Sequence, residues 1–266
     1  MLFKSKKVFV INSRNRTSGT DSNFVAYLEI PSEDYTHVAV LYSIIPKSFY
    51  LVDSTTSFTL TEISSSVTIT IPEGNYNRVT FQSAIQTLLN TNSPHSYTYS
   101  LSFPNASTTV NDGKFTITVS GNGGVQPSLS FTNSNNAFEL LGFNYGVTNT
   151  FTANTLKSTN VIKLLTNDVI LIRSDIANND GDNILQEVYS VGNDAYSNIV
   201  FEQNNIEYNA RKLANHKVNA YHFWLTNELE EIELNGLNWF VTIVIFSIDD
   251  TTEMLKDYIR LKTLKN

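Results

Sequence analysis

Apolar and polar positions alternate with a period of two along most of the chain, the spacing of half-buried strands. Residues 7–11 form a short apolar run, followed by the polar turn at 12–20. Residues 24–30 alternate, with Phe24, Ala26, Leu28 and Ile30 on one face, and Pro31 ends the pattern because proline cannot donate to a ladder. A second apolar stretch spans 37–45 and closes at Pro46. Only a few polar residues separate these two segments, which predicts that they pair with each other. Residues 57–62 and 66–71 read as another antiparallel pair around a turn at 64–66.

The period changes once in the interior. Phe81, Ala84, Ile85, Leu88 and Leu89 recur at helical spacing, with Thr80 as candidate N-cap and a stop at 90–94. Strand patterns return at 97–103, 114–119 and 128–131, separated by turn sequences at 111–113 and 121–124. Residues 137–143 read as a short helical turn capped by Gly142. Four further strands are expected at 168–175, 198–203, 220–226 and 239–248, while 177–195, rich in Asn, Asp and Gly, reads as a surface loop. Leu255, Tyr258, Ile259 and Lys262 fit a C-terminal helix over 251–266, with a flexible basic tail as the alternative.

Strongly apolar strands therefore lie near both ends, and the middle has its own strand–helix–strand character. The expected fold is mainly β: an antiparallel jelly-roll sandwich built from residues 1–54 and 161–250, with an inserted β-rich module containing one helix at 55–160.

Composition sharpens this. Aromatic residues make up 12% and charged residues 16%, below the roughly 25% usual in soluble domains. Asn, Ser and Thr fill the difference, giving a polar surface that is inexpensive to desolvate against a partner, although a Ser/Thr-rich secreted β protein has the same composition. A net charge of −7 argues against extensive nucleic-acid binding. Without cysteine the fold stands on its own core, which suits a reducing compartment. The first residues are charged too soon for a signal peptide, and the longest apolar run, 239–246, is too short to span a bilayer, so the chain reads as soluble and unexported.

No catalytic, metal or cofactor set is apparent. The four histidines, His37, His95, His216 and His222, lack metal spacing; His222 is expected on the solvent side of a strand or hydrogen-bonded there. The acidic run at 228–233 reads as a charged connection, the 180–182 acidic pair as a turn, and the glycines at 121–124 lack the helix a phosphate loop needs. Lys4, Lys6 and Lys7, with Arg14 and Arg16 nearby, form a basic patch that is either a solvated terminus or a weak contact with packaged DNA.

Several phrases, in consistent order along the chain, resemble the penton and related minor capsid proteins of virophages and polinton-like double-stranded DNA viruses. They are FVINSRNR (9–16) with GTDSNF (19–24), VAVLYSIIPKSFY (38–50), IPEGNY (71–76), LLGF (140–143), and FWLT (223–226) with LNGLNW (234–239). The resemblance implies a non-enzymatic jelly-roll capsid protein, assembled inside the host cell and located at the virion's fivefold vertices. It also implies a homopentamer in contact with the major capsid protein and no cofactor. Phe49 and Tyr50, after Pro46, become candidate subunit contacts, with a buried turn as the alternative. The competing readings are a β-sandwich carbohydrate- or receptor-binding module, against which Trp224 and Trp239 both look buried, and an enzyme with a dispersed site.

Overall fold

The computed structural model describes residues 3–31, 35–104, 111–132, 135–164, 169–177, 182–190, 195–206, 209–214, 219–227 and 230–248. The expected helix or tail at 251–266 lies outside them, as does His216. The chain separates into two compact units, Met1–Phe49 with Asn167–Asn266, and Tyr50–Thr166.

The first unit holds β1 (Phe3–Asn12), β2 (Ser18–Gly19), β3 (Asn23–Tyr27) and β4 (His37–Pro46). The second holds β5 (Ser57–Glu62), β6 (Ser65–Thr70), α1 (Arg78–Asn92), β7 (Thr98–Ser102), β8 (Thr116–Ser120), β9 (Ser128–Ser130), α2 (Ala137–Leu141), β10 (Thr148–Thr150) and β11 (Thr155–Lys157). The chain then completes the first unit with β12 (Val169–Ser174), β13 (Ile184–Tyr189), β14 (Asn198–Glu202), β15 (Arg211–Lys212), β16 (Ala220–Thr226) and β17 (Phe240–Ile248).

Two antiparallel sheets make the first unit, ordered β1-β17-β4-β14, with β15 also on β4, and β13-β12-β16-β3-β2. Leaving out the two-residue strands and counting the rest in chain order, the sheets read 1-8-3-6 and 5-4-7-2. That is a jelly roll. The first and last strands are neighbours, in register from Ser5 opposite Ser247 to Asn12 opposite Phe240. Every long strand turns apolar residues inward, among them Ile11, Phe24, Val38, Val40, Ile172, Phe223, Val241 and Ile243. Each fully buried side chain of this kind contributes about 1.5–3 kcal/mol. Trp239 anchors the centre, edge-on to Phe24 at 5.7 Å, and Phe24 stacks on Phe223 at 5.9 Å.

Two expectations change here. β3 and β4 do not pair: β3 bonds to β2 and β16, and β4 to β14, β15 and β17. Both carry an apolar face, and placing them in different sheets lets those faces meet across the core. The stretch read as a loop at 177–195 contains β13, paired with β12. Its signal was hidden because Leu185 and Gln186 are both buried, at a register shift between Ile172 and Arg173 that breaks the alternation.

In the second unit the sheets run β10-β9-β5-β6 and β11-β8-β7. β5 and β6 form the expected hairpin, turning at Ile63 and Ser64 with Ile63 at φ 53°. The helix begins at Arg78 with Asn77 as its cap, not Thr80. Asn77 accepts from the N–H groups of Val79 and Thr80, while the Thr80 hydroxyl accepts from the N–H of Asn77, so Thr80 is the returning half of a capping box. Phe81, Ile85 and Leu89 form the buried stripe of α1. α2 ends at Gly142, whose φ of 75° supplies the left-handed cap.

Candidate functional site

Paired residues in an antiparallel ladder project to the same face, so register maps each sheet's outer surface. On the β1-β17-β4-β14 sheet, one row runs Val8, Val244, Ala39 and another Val10, Thr242, Tyr42, Glu202; a third runs Phe240, Ile44, Val200. Ala39, Val244 and Phe246 are covered by Leu41, Ile206 and Ala210. The other half is open. Val10 is 73% exposed and Val200 54%, and between them the Tyr42 and Phe240 rings lie 5.5 Å apart. The strand carrying Val8 and Val10 is an edge: among the described residues β1 pairs with no strand other than β17.

The outer surface of the other sheet has a different chemistry. His222 stacks on Trp224 at 4.6 Å, its Nε2 meets Oδ1 of Asn23, and Asn219 donates to the Tyr27 hydroxyl at 3.1 Å. Arg173 donates through Nε to Thr226 at 2.9 Å. Trp224 is therefore half-exposed, while Trp239 is buried. The expectation that both tryptophans are buried holds only for Trp239, because residues 220–226 alternate and place His222 and Trp224 opposite the core residues Tyr221, Phe223 and Leu225.

Residues 46–50 cross from one surrounding to another. Pro46 through Ser48 are buried, with the Ser48 hydroxyl donating to the Leu234 carbonyl at 2.6 Å and Asn235 donating to the Ser48 carbonyl at 2.7 Å. Phe49 is half-buried against the core of the first unit, and Tyr50 is 37% exposed. At the N-terminus Lys6 is exposed, and Lys7 donates to the Glu29 carbonyl at 2.8 Å with its ammonium 5.0 Å from the Phe9 ring.

The turn after β1 and the turn before β17 meet at one end of the sandwich. Their residues Arg14, Arg16, Gly19, Thr20, Asp21, Gly236 and Asn238 line an open depression.

The strongest ionisable cluster lies inside the second unit. Glu62 has no solvent exposure and accepts from the Ser93 hydroxyl at 2.6 Å, the His95 N–H at 2.8 Å and the Tyr99 hydroxyl at 2.7 Å. Burial and donation to Glu62 push the Tyr99 hydroxyl well above its ordinary pKa. The cluster ties the end of β5 to the segment between α1 and β7. Among the described residues there is no group of three or more His, Asp or Glu placed to hold a metal, and no helix long and apolar enough to cross a membrane. Of the acidic run, Glu230, Glu231 and Glu233 are exposed on the connection between β16 and β17; residues 228 and 229 lie outside the described set.

No family model and no curated protein matches the chain. Among solved structures it is similar to the mavirus penton protein, with 13% identity over 91% of this chain and 99% of that one, at a TM-score of 0.45. A match to the D1-D2-D3 domains of the flagellar cap protein FliD from Escherichia coli has 11% identity, covers 91% of this chain and 55% of that one, and has a TM-score of 0.19. At these identities neither likeness transfers a function.

Sequence reading passed over the open face and the depression. The apolar run VFVI (8–11) did carry a signal, since apolar residues on both faces of a strand mark a second covered or binding surface. The depression left none, because its two turns are more than two hundred positions apart, as the Ser13–Asn238 hydrogen bond shows.

Proposed function

We propose that this chain is a structural capsid subunit that assembles as a homopentamer at icosahedral vertices and contacts the major capsid protein around it. One observation carries the reading: the jelly roll leaves half of a sheet's outer face apolar and uncovered, from Val10 across Tyr42 and Phe240 to Val200. A ring uses heterologous contacts, in which one face of each subunit meets a different face of the next. Here the open apolar half of one copy packs against the aromatic and amide-bearing surface around Trp224 and Tyr27 of its neighbour. The sequence phrases shared with penton-type proteins support the same class. Phe49 and Tyr50 belong to the proposed contact set, and the module from Tyr50 to Thr166 is proposed as a separate body carried by the capsid fold.

Light scattering tests this. The purified chain is expected at the mass of a pentamer, and Val10→Lys with Val200→Lys is expected to yield a folded monomer. A wild-type monomer at every concentration, with or without the major capsid protein, contradicts the proposal.

A second reading is favoured by the half-buried Trp224, stacked on His222 and paired in register with Asn23, the aromatic-plus-amide chemistry of a carbohydrate site. A glycan panel separates the two: binding abolished by Trp224→Ala in a chain that stays monomeric supports the carbohydrate module.

A further inference from the structure

The depression at the end of the sandwich has more order than two exposed arginines require. Ser13 is fully buried, its hydroxyl donating to Oδ1 of Asn238 at 3.2 Å and accepting from the Trp239 N–H at 3.1 Å. That frame fixes Arg16. Its Nη1 donates to the Ser13 carbonyl at 2.9 Å and to Oδ1 of Asn238 at 3.4 Å, and its Nε donates to the Gly19 carbonyl at 3.1 Å. All three acceptors are neutral oxygens. The guanidinium is held in place with its charge uncancelled, and Nη2 has no protein acceptor among the described residues. Arg14 lines the same depression, and its guanidinium likewise has neither a hydrogen bond nor an ion pair there.

Asp21 lines the same depression, its Oδ2 accepting from the Gly236 N–H at 2.8 Å. Two guanidinium groups and one carboxylate give the lining a net charge of one positive unit. That balance suits a singly charged planar oxyanion, which can take a paired set of N–H donors from Arg14 and a further N–H from Nη2 of Arg16. It does not suit a nucleic-acid backbone, which needs several uncompensated cations in a row.

We infer that this depression binds a carboxylate, presented by the exposed acidic connection between β16 and β17 of a neighbouring copy. The carboxylate seats against Nη2 of Arg16 and the guanidinium of Arg14. The source of the carboxylate rests on the subunit reading above; the site itself does not.

The test follows the arginine Nε–H signals of the full chain by NMR at constant ionic strength. The probes are sodium acetate, sodium chloride, sodium phosphate and a peptide with the sequence of residues 227–234. Acetate is expected to shift the Arg14 and Arg16 signals saturably where chloride does not, and the peptide to bind at least about tenfold more tightly than acetate. Arg14→Gln is expected to weaken both by about tenfold without changing the thermal midpoint. Arg16→Lys, which keeps the charge and loses the Nη2 donors, is the second variant, checked for folding by its methyl spectrum. No saturable acetate shift, or binding unaltered in Arg14→Gln, overturns the site. Phosphate binding more tightly than acetate overturns the carboxylate assignment. Acetate binding with a peptide no tighter than acetate overturns the neighbouring-copy source. A pentamer that persists in Arg14→Gln, with acetate binding lost, overturns a required role of the site in assembly while leaving the subunit reading intact.

Discussion

The two units place their exposed apolar side chains differently. In the unit formed by the chain's ends, Val8, Val10, Tyr27, Tyr189 and Val200 lie on strands, so sheet faces are on display, while Tyr196 and Leu237 lie in connections. In the middle unit, Ile63, Val125, Tyr145, Val147 and Val161 lie in turns and connections, and Val79 sits in the first turn of α1. The buried charges differ in sign: the middle unit encloses the carboxylate of Glu62 within a ring of donors, whereas the jelly roll buries Lys47 and, among its described residues, no Asp or Glu. A unit that exposes strand faces is equipped to join further sheets or surfaces. A unit whose exposed apolar side chains are confined to turns, connections and a helix end offers no such face. On the proposed reading, assembly uses the jelly roll.

Glu62→Ala attacks the sealed side of this contrast and has the largest expected effect. It leaves the Ser93 hydroxyl, the His95 N–H and the Tyr99 hydroxyl without their acceptor. About 3 kcal/mol or more should be lost. Hydrogen exchange should show the loss in β5, α1 and β7, and unchanged protection there would mean the cluster does not hold the middle unit together.

Gly142→Ala probes the same unit through its backbone. At φ 75° an added Cβ strains the turn and meets the carbonyl oxygen of Asn160. A cost of about 2 kcal/mol is expected in urea denaturation. Gly19→Ala is its counterpart in the jelly roll, at φ 95° against the carbonyl of Asn23, and should cost a similar amount. A much smaller loss at Gly19 would show that the turn after β1 yields more easily than the cap of α2.

Tyr99→Phe should cost about 1 kcal/mol at neutral pH. Its pH dependence has a definite sign. The folded state holds the Tyr99 hydroxyl protonated well above the ordinary value of 10.0, so its contribution to stability is complete below that pH and disappears as pH rises beyond it. Wild-type stability should therefore fall steeply above about pH 10, and the variant should flatten that limb. Identical alkaline limbs in the two proteins would remove Tyr99 from the account.

Val10→Lys has the smallest effect on folding, within about 0.5 kcal/mol, because Val10 is 73% exposed. Its expected effect is on self-association, read by sedimentation. A substantial loss of monomer stability would show that the open face is covered within the subunit itself.

Much of this could be read from residue order. The period-two segments became β3, β4, β5, β6, β7, β8, β9, β12, β14, β16 and β17, and the one helical pattern became α1. The misses share a cause. β13 was obscured where Gln186 is buried beside Leu185 and the alternation lapses. The cap moved from Thr80 to Asn77 because both residues can cap, and their mutual hydrogen bonds decided the order. The partners of β3 and β4 were misjudged because proximity along the chain is a weak guide in a jelly roll, where most successive strands change sheet.

What the sequence determined alone was period: which side chains share a face of a strand or helix is set within five to fifteen residues by backbone geometry. Tertiary structure decided everything that depends on which faces meet. It set β1 beside β17, turned Trp224 outward while burying Trp239, and brought Ser13 and Asn238 together to hold Arg16. Those outcomes come from burying apolar area across the whole chain, a quantity that no local window contains.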